Sequence, residues 1–194
     1  MFRVISDIMN FRLFEKLKSV ERSAIVGLRH ESPAEHSWCC LMLADFFLSR
    51  MDVKKRKIDR LRVYELLMYH DVVEILAGDT QLHPNNVDAR KKKEVEEQDA
   101  ANVLKEKLPV PLGEKFFDLF QEFESQKTVE SRFAKAIDKT EAEIHELDYK
   151  ERWKGWTPEF LIKVKGPFVE EFPELKKAFY ELLEYEKIEG YFDK

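Results

Sequence analysis

The sequence predicts an all-α protein of about eight helices folded as one domain over residues 1–194. Three observations carry this expectation. Apolar residues recur at steps of three and four through most of the chain, the period of helices that bury one face. Six Gly and seven Pro in 194 residues are few, which argues against the many tight turns of an all-β fold. Residues that start helices, namely Ser32, Asp59 and Thr157, stand immediately ahead of periodic stretches.

In chain order, residues 2–18 form the first helix, with Phe2, Ile5, Ile8, Met9, Leu13, Phe14 and Leu17 on one face. A polar connector from Ser19 to Ser32 follows. Ser32-Pro33-Ala34-Glu35 reads as a capping box with Pro at the first helical position, opening a helix to about Arg50 that contains His36, Trp38, Met42 and Phe46. The basic run Lys54–Lys57 links to Asp59, which caps a helix whose steps Leu61, Tyr64, Leu67, Met68, Val72, Ile75 and Leu76 mark a buried face. Gly78 suits its stop. Residues 79–86, with Pro84 and two Asn, read as a loop. A charged helix spans about 87–107, its Lys91–Lys93 and Glu94, Glu96 and Glu97 reading as a solvated face. Pro109 and Pro111 end it. Helices at about 112–124 and 130–152, a turn at Trp153–Pro158, a short helix to about Val164, a break at Gly166-Pro167 and a last helix at about 173–187 complete the chain.

The net charge of −5 excludes extended nucleic-acid binding, which needs a basic surface, while leaving room for a local pocket for one small phosphate. Cys39 and Cys40 are adjacent; on a helix they point about 100° apart, too far for a good disulfide, and no C-x-x-C spacing suggests zinc. They read as reduced core residues. No apolar run reaches the roughly 18 residues of a membrane span, and the opening residues do not resemble a secretory signal. A cytoplasmic protein is expected.

Chemistry concentrates in Tyr64–Asp79. The second half of this helix carries His70, Asp71 and Glu74 beside the buried face, with Asp79 just beyond the stop. At about 100° per residue these three fall within one arc of roughly 100° and can point into one cavity. Burying such groups is costly unless they are paired or hold a metal. Together with His36 and Asp138 on two other helices, they make a candidate imidazole–carboxylate site. That donor mix suits Mn²⁺, Co²⁺, Fe²⁺, Ni²⁺ or Zn²⁺ more than Ca²⁺.

The stretches Ala34-Glu35-His36-Ser37 and His70-Asp71-Val-Val-Glu74-Ile-Leu-Ala-Gly78-Asp79, completed by Asp138 in Ala136–Glu141, resemble the HD-domain metal-dependent phosphohydrolases, and within them the 5′-deoxynucleotidase-like subfamily. The resemblance spans roughly residues 10–150, with the C-terminal helices 157–187 packing on that core. It implies a helical HD-domain bundle in which His36, His70, Asp71 and Asp138 hold a divalent cation, Mn²⁺ or Co²⁺ first and Fe²⁺, Ni²⁺, Zn²⁺ or Mg²⁺ as alternatives. It makes Glu74 the proton-handling residue, where the residues alone allow a carboxylate that merely orients a ligand His. It makes Arg22 the phosphate-orienting arginine, with a salt bridge to a nearby Glu as the competing reading. Asp79 would contact the sugar 3′-hydroxyl, with Ser23, Thr80, Gln81 and Leu82 as pocket neighbours. Ser23 stands where the bacterial type carries Trp, which puts the preference for deoxyribose over ribose in doubt.

The expected activity is release of phosphate from (deoxy)nucleoside 5′-monophosphates. The alternatives are an HD phosphohydrolase for a cyclic or pyrophosphorylated nucleotide, or a non-catalytic, metal-stabilised binding protein. The expected partner is a small nucleotide, with no nucleic acid and no membrane. A homodimer is implied by the resemblance, with Phe179, Leu182 and Leu183 offering either a surface or core packing.

Overall fold

The computed structural model describes residues 3–79 and 89–192, without the side chains of residues 3 and 89–91. Helix α1 (Arg3–Phe11) runs straight into a 3-10 helix (Arg12–Ser19), and a two-stranded hairpin, β1 (Ile25–Val26) with β2 (Arg29–His30), follows. Then come α2 (Pro33–Leu48), α3 (Val53–Arg56), α4 (Arg60–Tyr69), α5 (Glu74–Ala77), α6 (Ala89–Lys107), α7 (Leu112–Ser125) and α8 (Val129–Glu146). A second 3-10 turn (Lys150–Trp153), α9 (Pro158–Val169) and α10 (Pro173–Glu189) end the order. The expected helices correspond to α1, α2, α4 and α6 through α10, while α3 and α5 are four-residue turns. No helix among the described residues is long and apolar enough to cross a membrane.

Local chemistry sets the helix starts. Ser32 Oγ accepts from the Glu35 N–H while Glu35 accepts from the Ser32 N–H, a complete capping box. Asp59 accepts from Leu61 and Arg62, Thr128 from Ser131 and Thr157 from Phe160. Helix α8 is the hub, packing against α2, α4, α7, α9 and α10. Its Phe133, Ala134, Ala136 and Ile137 are fully buried, and the small alanines allow neighbours to approach. Against it lie Val63, Leu66 and Leu67 of α4, Cys40, Ala44 and Leu48 of α2, and Phe116, Leu119, Phe120 and Phe123 of α7.

Several expectations are corrected. The helix over residues 2–18 divides at Arg12, and Ile5, Ile8 and Met9 stay exposed while Leu17 is buried. The polar connector contains the hairpin, turned at Gly27 with φ of 63°, a left-handed value that suits glycine. The central helix does not run through to Gly78. From Tyr69 onward its backbone tightens to i→i+3 bonds, including Val72 N to Tyr69 O (3.2 Å) and Glu74 N to Asp71 O (3.0 Å). Within the regular α4, the side carrying Val63, Leu66 and Leu67 faces α2, α7 and α8, leaving Leu61 and Met68 exposed; after the tightening, Val72 and Val73 are buried and Leu76 is exposed. Helix α8 stops at Glu146 rather than continuing to Arg152. Helix α9 passes through Gly166-Pro167 to Val169; a proline near a helix end removes only one of the last backbone bonds. Phe179 and Leu183 belong to the core, and the outward apolar face lies on α2, at Trp38, Met42 and Phe46.

Away from these helix ends, α8, α9 and α10 bury a charged cluster. Lys165 pairs with Glu143, while both carboxylate oxygens of the fully buried Glu186 lack a hydrogen-bond partner among the described residues. Burial, and then the neighbouring Glu143, push the Glu186 pKa from 4.5 up to about 8, with Lys165 acting in the opposite direction. The folded pKa stands above the unfolded one, so the contribution of this proton is intact below pH 4.5 and is lost as the pH rises through about 8. Glu186→Gln is therefore expected to raise the melting temperature at pH 9 and to leave it nearly unchanged at pH 5. An equal shift at both values contradicts a buried protonated carboxyl.

Candidate metal centre and its cavity

Three separate elements deliver the site. His36 sits in the first turn of α2, which the capping box fixes, and is fully buried. His70 and Asp71 occupy the tightened turn after α4, and Asp138 lies midway along α8. The 3-10 spacing eclipses residues three apart, so Asp71 and Glu74 face the same cavity. That cavity, of about 640 Å³, is lined by Arg22, His70, Asp71, Glu74, Asp79 and Asp138 among others.

The hydrogen bonds of the two imidazoles decide what the centre can hold. His70 Nδ1 donates to the Leu67 carbonyl at 2.8 Å, which makes Nε2 the lone-pair nitrogen of the neutral ring. That nitrogen is buried without a hydrogen-bond partner and stands 3.2 Å from Asp71 Oδ1. Burial lowers the His70 pKa, outweighing Asp71 and Asp138, so the ring is neutral. His36 is engaged at both nitrogens: Nδ1 donates to Glu141 Oε2 at 2.5 Å, and Nε2 is hydrogen-bonded to Asp138 Oδ1 at 3.2 Å. The two rings are 5.5 Å apart.

Burial by itself lowers the His36 pKa, but Cys40 and the Asp138 hydrogen bond outweigh it and push the value well above the ordinary one. Burial raises the Asp71 and Asp138 carboxyls, yet His70 and Arg22 for the first, and Lys139 and His36 for the second, hold both below the usual range. Without a metal, His36 holds the proton it shares with Asp138, while the His70 Nε2 lone pair faces ionised Asp71 with no hydrogen bond between them; a cation among these four groups would take the place of that proton. This donor set fits a divalent metal. Glu141 behind His36 and the Leu67 carbonyl behind His70 fix the tautomers, as orienting partners of metal-binding imidazoles do.

Two tight triplets of donor groups recur among the described residues: His36 with Cys40 and His70, and Glu31 with His36 and Glu141. Cys40 is a poor ligand, because binding needs the thiolate and burial pushes its pKa up to about 12. Glu141 is occupied by His36 Nδ1.

A family model described as the HD domain matches residues 14–176. The chain belongs to the HD-domain family. It is similar to the 5′-deoxynucleotidase HDDC2 of Xenopus laevis, 30% identical over 176 residues that cover 88% of this chain and 84% of that one. Its human counterpart, also named 5′-deoxynucleotidase HDDC2, is 27% identical over 81% of this chain and 76% of its own. Among solved structures, a predicted metal-dependent phosphohydrolase from Magnetospirillum magnetotacticum superimposes with a TM-score of 0.80, 27% identity and full coverage of both chains.

The other candidate site residues, Arg22, Glu74 and Asp79, line the same cavity. Arg22 makes the salt bridge to a nearby Glu that its competing reading required, Nε donating to Glu31 at 3.0 Å, and its Nη1 donates to Asp71 at 3.2 Å. The hairpin makes this possible, returning Glu31 beside Arg22 through paired backbone bonds. Glu74 Oε2 is buried without a partner among the described residues; burial, then Asp71 and Asp79, push its pKa up to about 9. Asp79 Oδ2 accepts from the Ser23 backbone N–H at 3.1 Å, and Arg152 donates to the Ser23 carbonyl at 2.6 Å. Asp79 is therefore anchored by main chain, whatever side chain occupies position 23. Thr80, Gln81 and Leu82 lie outside the described residues.

Sequence reasoning missed Glu141, Glu31 and Lys93. Glu141 had a signal, standing three residues after Asp138 on the same helix. Glu31 had none, since only the hairpin brings it to Arg22.

Proposed function

We propose that this HD-domain protein is a divalent-metal-dependent phosphohydrolase releasing phosphate from nucleoside 5′-monophosphates, deoxyribonucleotides first. The observation that supports the reading most is the pairing of two tautomer-locked imidazoles with two ionised carboxylates, beside a cavity that also holds an unpartnered carboxylate and an arginine. His36, His70, Asp71 and Asp138 would hold the cation. When bound, a cation there lowers the pKa of water toward neutrality and offsets phosphoryl charge.

The chain's own residues supply the rest, which for phosphoryl transfer is chiefly positioning and electrostatics. Arg22 is fixed on the cavity wall by Glu31 and Asp71, so its guanidinium meets phosphate oxygens without first being ordered. Glu74 Oε2 is the acceptor for a proton from the attacking water, and the same group returns a proton to the departing 5′-oxygen. Burial, and then the two carboxylates nearby, make Glu74 hold a proton tightly in the metal-free state, a state that a cation in the site opposes. Asp79 lies beside Ser23 at the same wall and is placed to accept from a sugar hydroxyl. The names of the HDDC2 relatives, 5′-deoxynucleotidase, agree with this substrate class.

The direct test is free phosphate released from a panel of ribo- and deoxyribonucleoside 5′-monophosphates by protein reloaded with Mn²⁺, Co²⁺ or Mg²⁺. Metal-dependent release from the deoxy set is expected; release from neither set overturns the proposal. Glu74→Ala is expected to keep bound metal and to lose turnover by about 10²–10⁴-fold, whereas Asp138→Ala weakens metal binding itself. Normal hydrolysis by the Glu74 variant removes its proton-handling role.

We also propose a cytoplasmic homodimer that covers the exposed α2 face at Trp38, Met42 and Phe46, a contiguous apolar patch of the kind that marks interfaces. Sedimentation should give a dimer that Trp38→Glu converts to monomer, and a wild-type monomer at micromolar concentration contradicts it.

A further inference from the structure

Helix α6 carries two lysine–glutamate pairs at the same spacing in adjacent registers. Lys92 with Glu96 (3.3 Å) lies in solvent, its side chains 80% and 50% exposed. Lys93 with Glu97 (3.2 Å) is turned about 100° away, its side chains only 24% and 15% exposed. The first is the solvated face that the charge pattern implied. The second is not. Lys93 Nζ also stands 3.6 Å from Glu74 Oε1 and 3.8 Å from Asp79 Oδ1, and Lys93 and Glu97 both line the 640 Å³ cavity. A lysine ahead of its glutamate is the weaker order for stabilising a helix, so helix stability does not explain the inward turn.

We propose that Lys93 is a positioning residue for the hydrolysis assigned to this site: one ammonium group draws Glu74 and Asp79 together and fixes the rotamer of Glu74. The inference rests on the phosphohydrolase reading given above. Its content is geometric. Glu74 has two carboxylate oxygens with different surroundings: Oε1 faces Lys93, whereas Oε2 is buried and unpartnered among the described residues. Holding one oxygen leaves the other as the defined acceptor, the arrangement a proton-handling carboxylate needs. The same ammonium lies against Asp79, whose second oxygen accepts from the Ser23 N–H. The proton-handling and sugar-facing carboxylates, on α5 and on the loop after it, are therefore tied to α6 through a single side chain, with Glu97 fixing that side chain from below. Arg22 makes its ion pairs with Glu31 and Asp71 instead.

The test uses the metal-loaded full chain. Lys93→Met is expected to lower kcat by about 10–100-fold, the usual effect of losing an orienting partner, with KM changed less than threefold and bound metal unchanged. Lys93→Arg, which keeps the charge, should recover most of kcat. The exposed control Lys92→Met should behave as wild type. A kcat for Lys93→Met within twofold of wild type overturns the proposal, as does a loss carried entirely by KM or by metal release.

A double-mutant cycle between Lys93→Met and Glu74→Gln, read by melting temperature, stands apart from activity. The paired variants should be non-additive by roughly 2–4 °C, and additive shifts overturn the contact. If wild-type protein releases no phosphate while the cycle is non-additive, the substrate reading has failed and the Lys93–Glu74 contact has not.

Discussion

Each of two buried imidazoles is tied through Nδ1 and turns Nε2 toward a carboxylate 3.2 Å away. This crowding of His36, His70, Asp71 and Asp138, in which the His70 Nε2 lone pair faces Asp71 without a hydrogen bond, is the constraint on which the rest of the structure depends. It is unfavourable unless a positive charge sits between the partners, since an unsatisfied buried polar group costs about 1–3 kcal/mol and a charged one more. The fold accepts this cost at one place and encloses it with well-packed helices. Helix α8 provides Asp138 and Glu141 from one face and fully buried Phe133, Ala134 and Ile137 from the others, which fixes its rotation. The capping box does the same for His36, and the tightened backbone after Tyr69 does it for His70 and Asp71.

The same tightening links stability to chemistry. An ordinary helix continued through residue 74 would set Asp71 and Glu74 about 60° apart around its axis. With i→i+3 bonds they come nearly into line, so the ligand and the proton-handling carboxylate share a wall of the cavity. The outer ring of charges then completes the electrostatics: Glu31 and Asp71 hold Arg22, and Glu97 holds Lys93. Arg22 and Lys93 are thereby fixed among five carboxylates, Glu31, Asp71, Glu74, Asp79 and Glu97, before any substrate phosphate arrives.

Much of this was legible in the sequence, and the reasons are local. Ser32 with Glu35, Asp59 and Thr157 announce helix starts because a cap is a contact between residues two or three apart. His36, His70, Asp71 and Asp138 stand out because ionisable residues on apolar helical faces conflict with burial. What could not be read depends on partners distant in sequence. Glu31 reaches Arg22 only through a hairpin inside a connector that looks merely polar. Lys93 is one residue from Lys92 and has the same spacing to a glutamate, so only the rotation of α6 against the site separates the buried pair from the solvated one. Leu61 and Met68 are exposed because α4 turns its Val63, Leu66 and Leu67 side to α2, α7 and α8, a choice of face that depends on distant partners, and the tightened twist after Tyr69 shifts the buried set to Val72 and Val73.

The most direct measurement is anomalous diffraction from crystals of the protein loaded with Mn²⁺ or Co²⁺. The account predicts one strong peak within coordinating distance of His36 Nε2, His70 Nε2, Asp71 and Asp138, with His36 Nδ1 still on Glu141 and His70 Nδ1 still on the Leu67 carbonyl. A peak seated on Cys40 or between Glu31 and Glu141, or no peak at full metal occupancy of the solution, contradicts it.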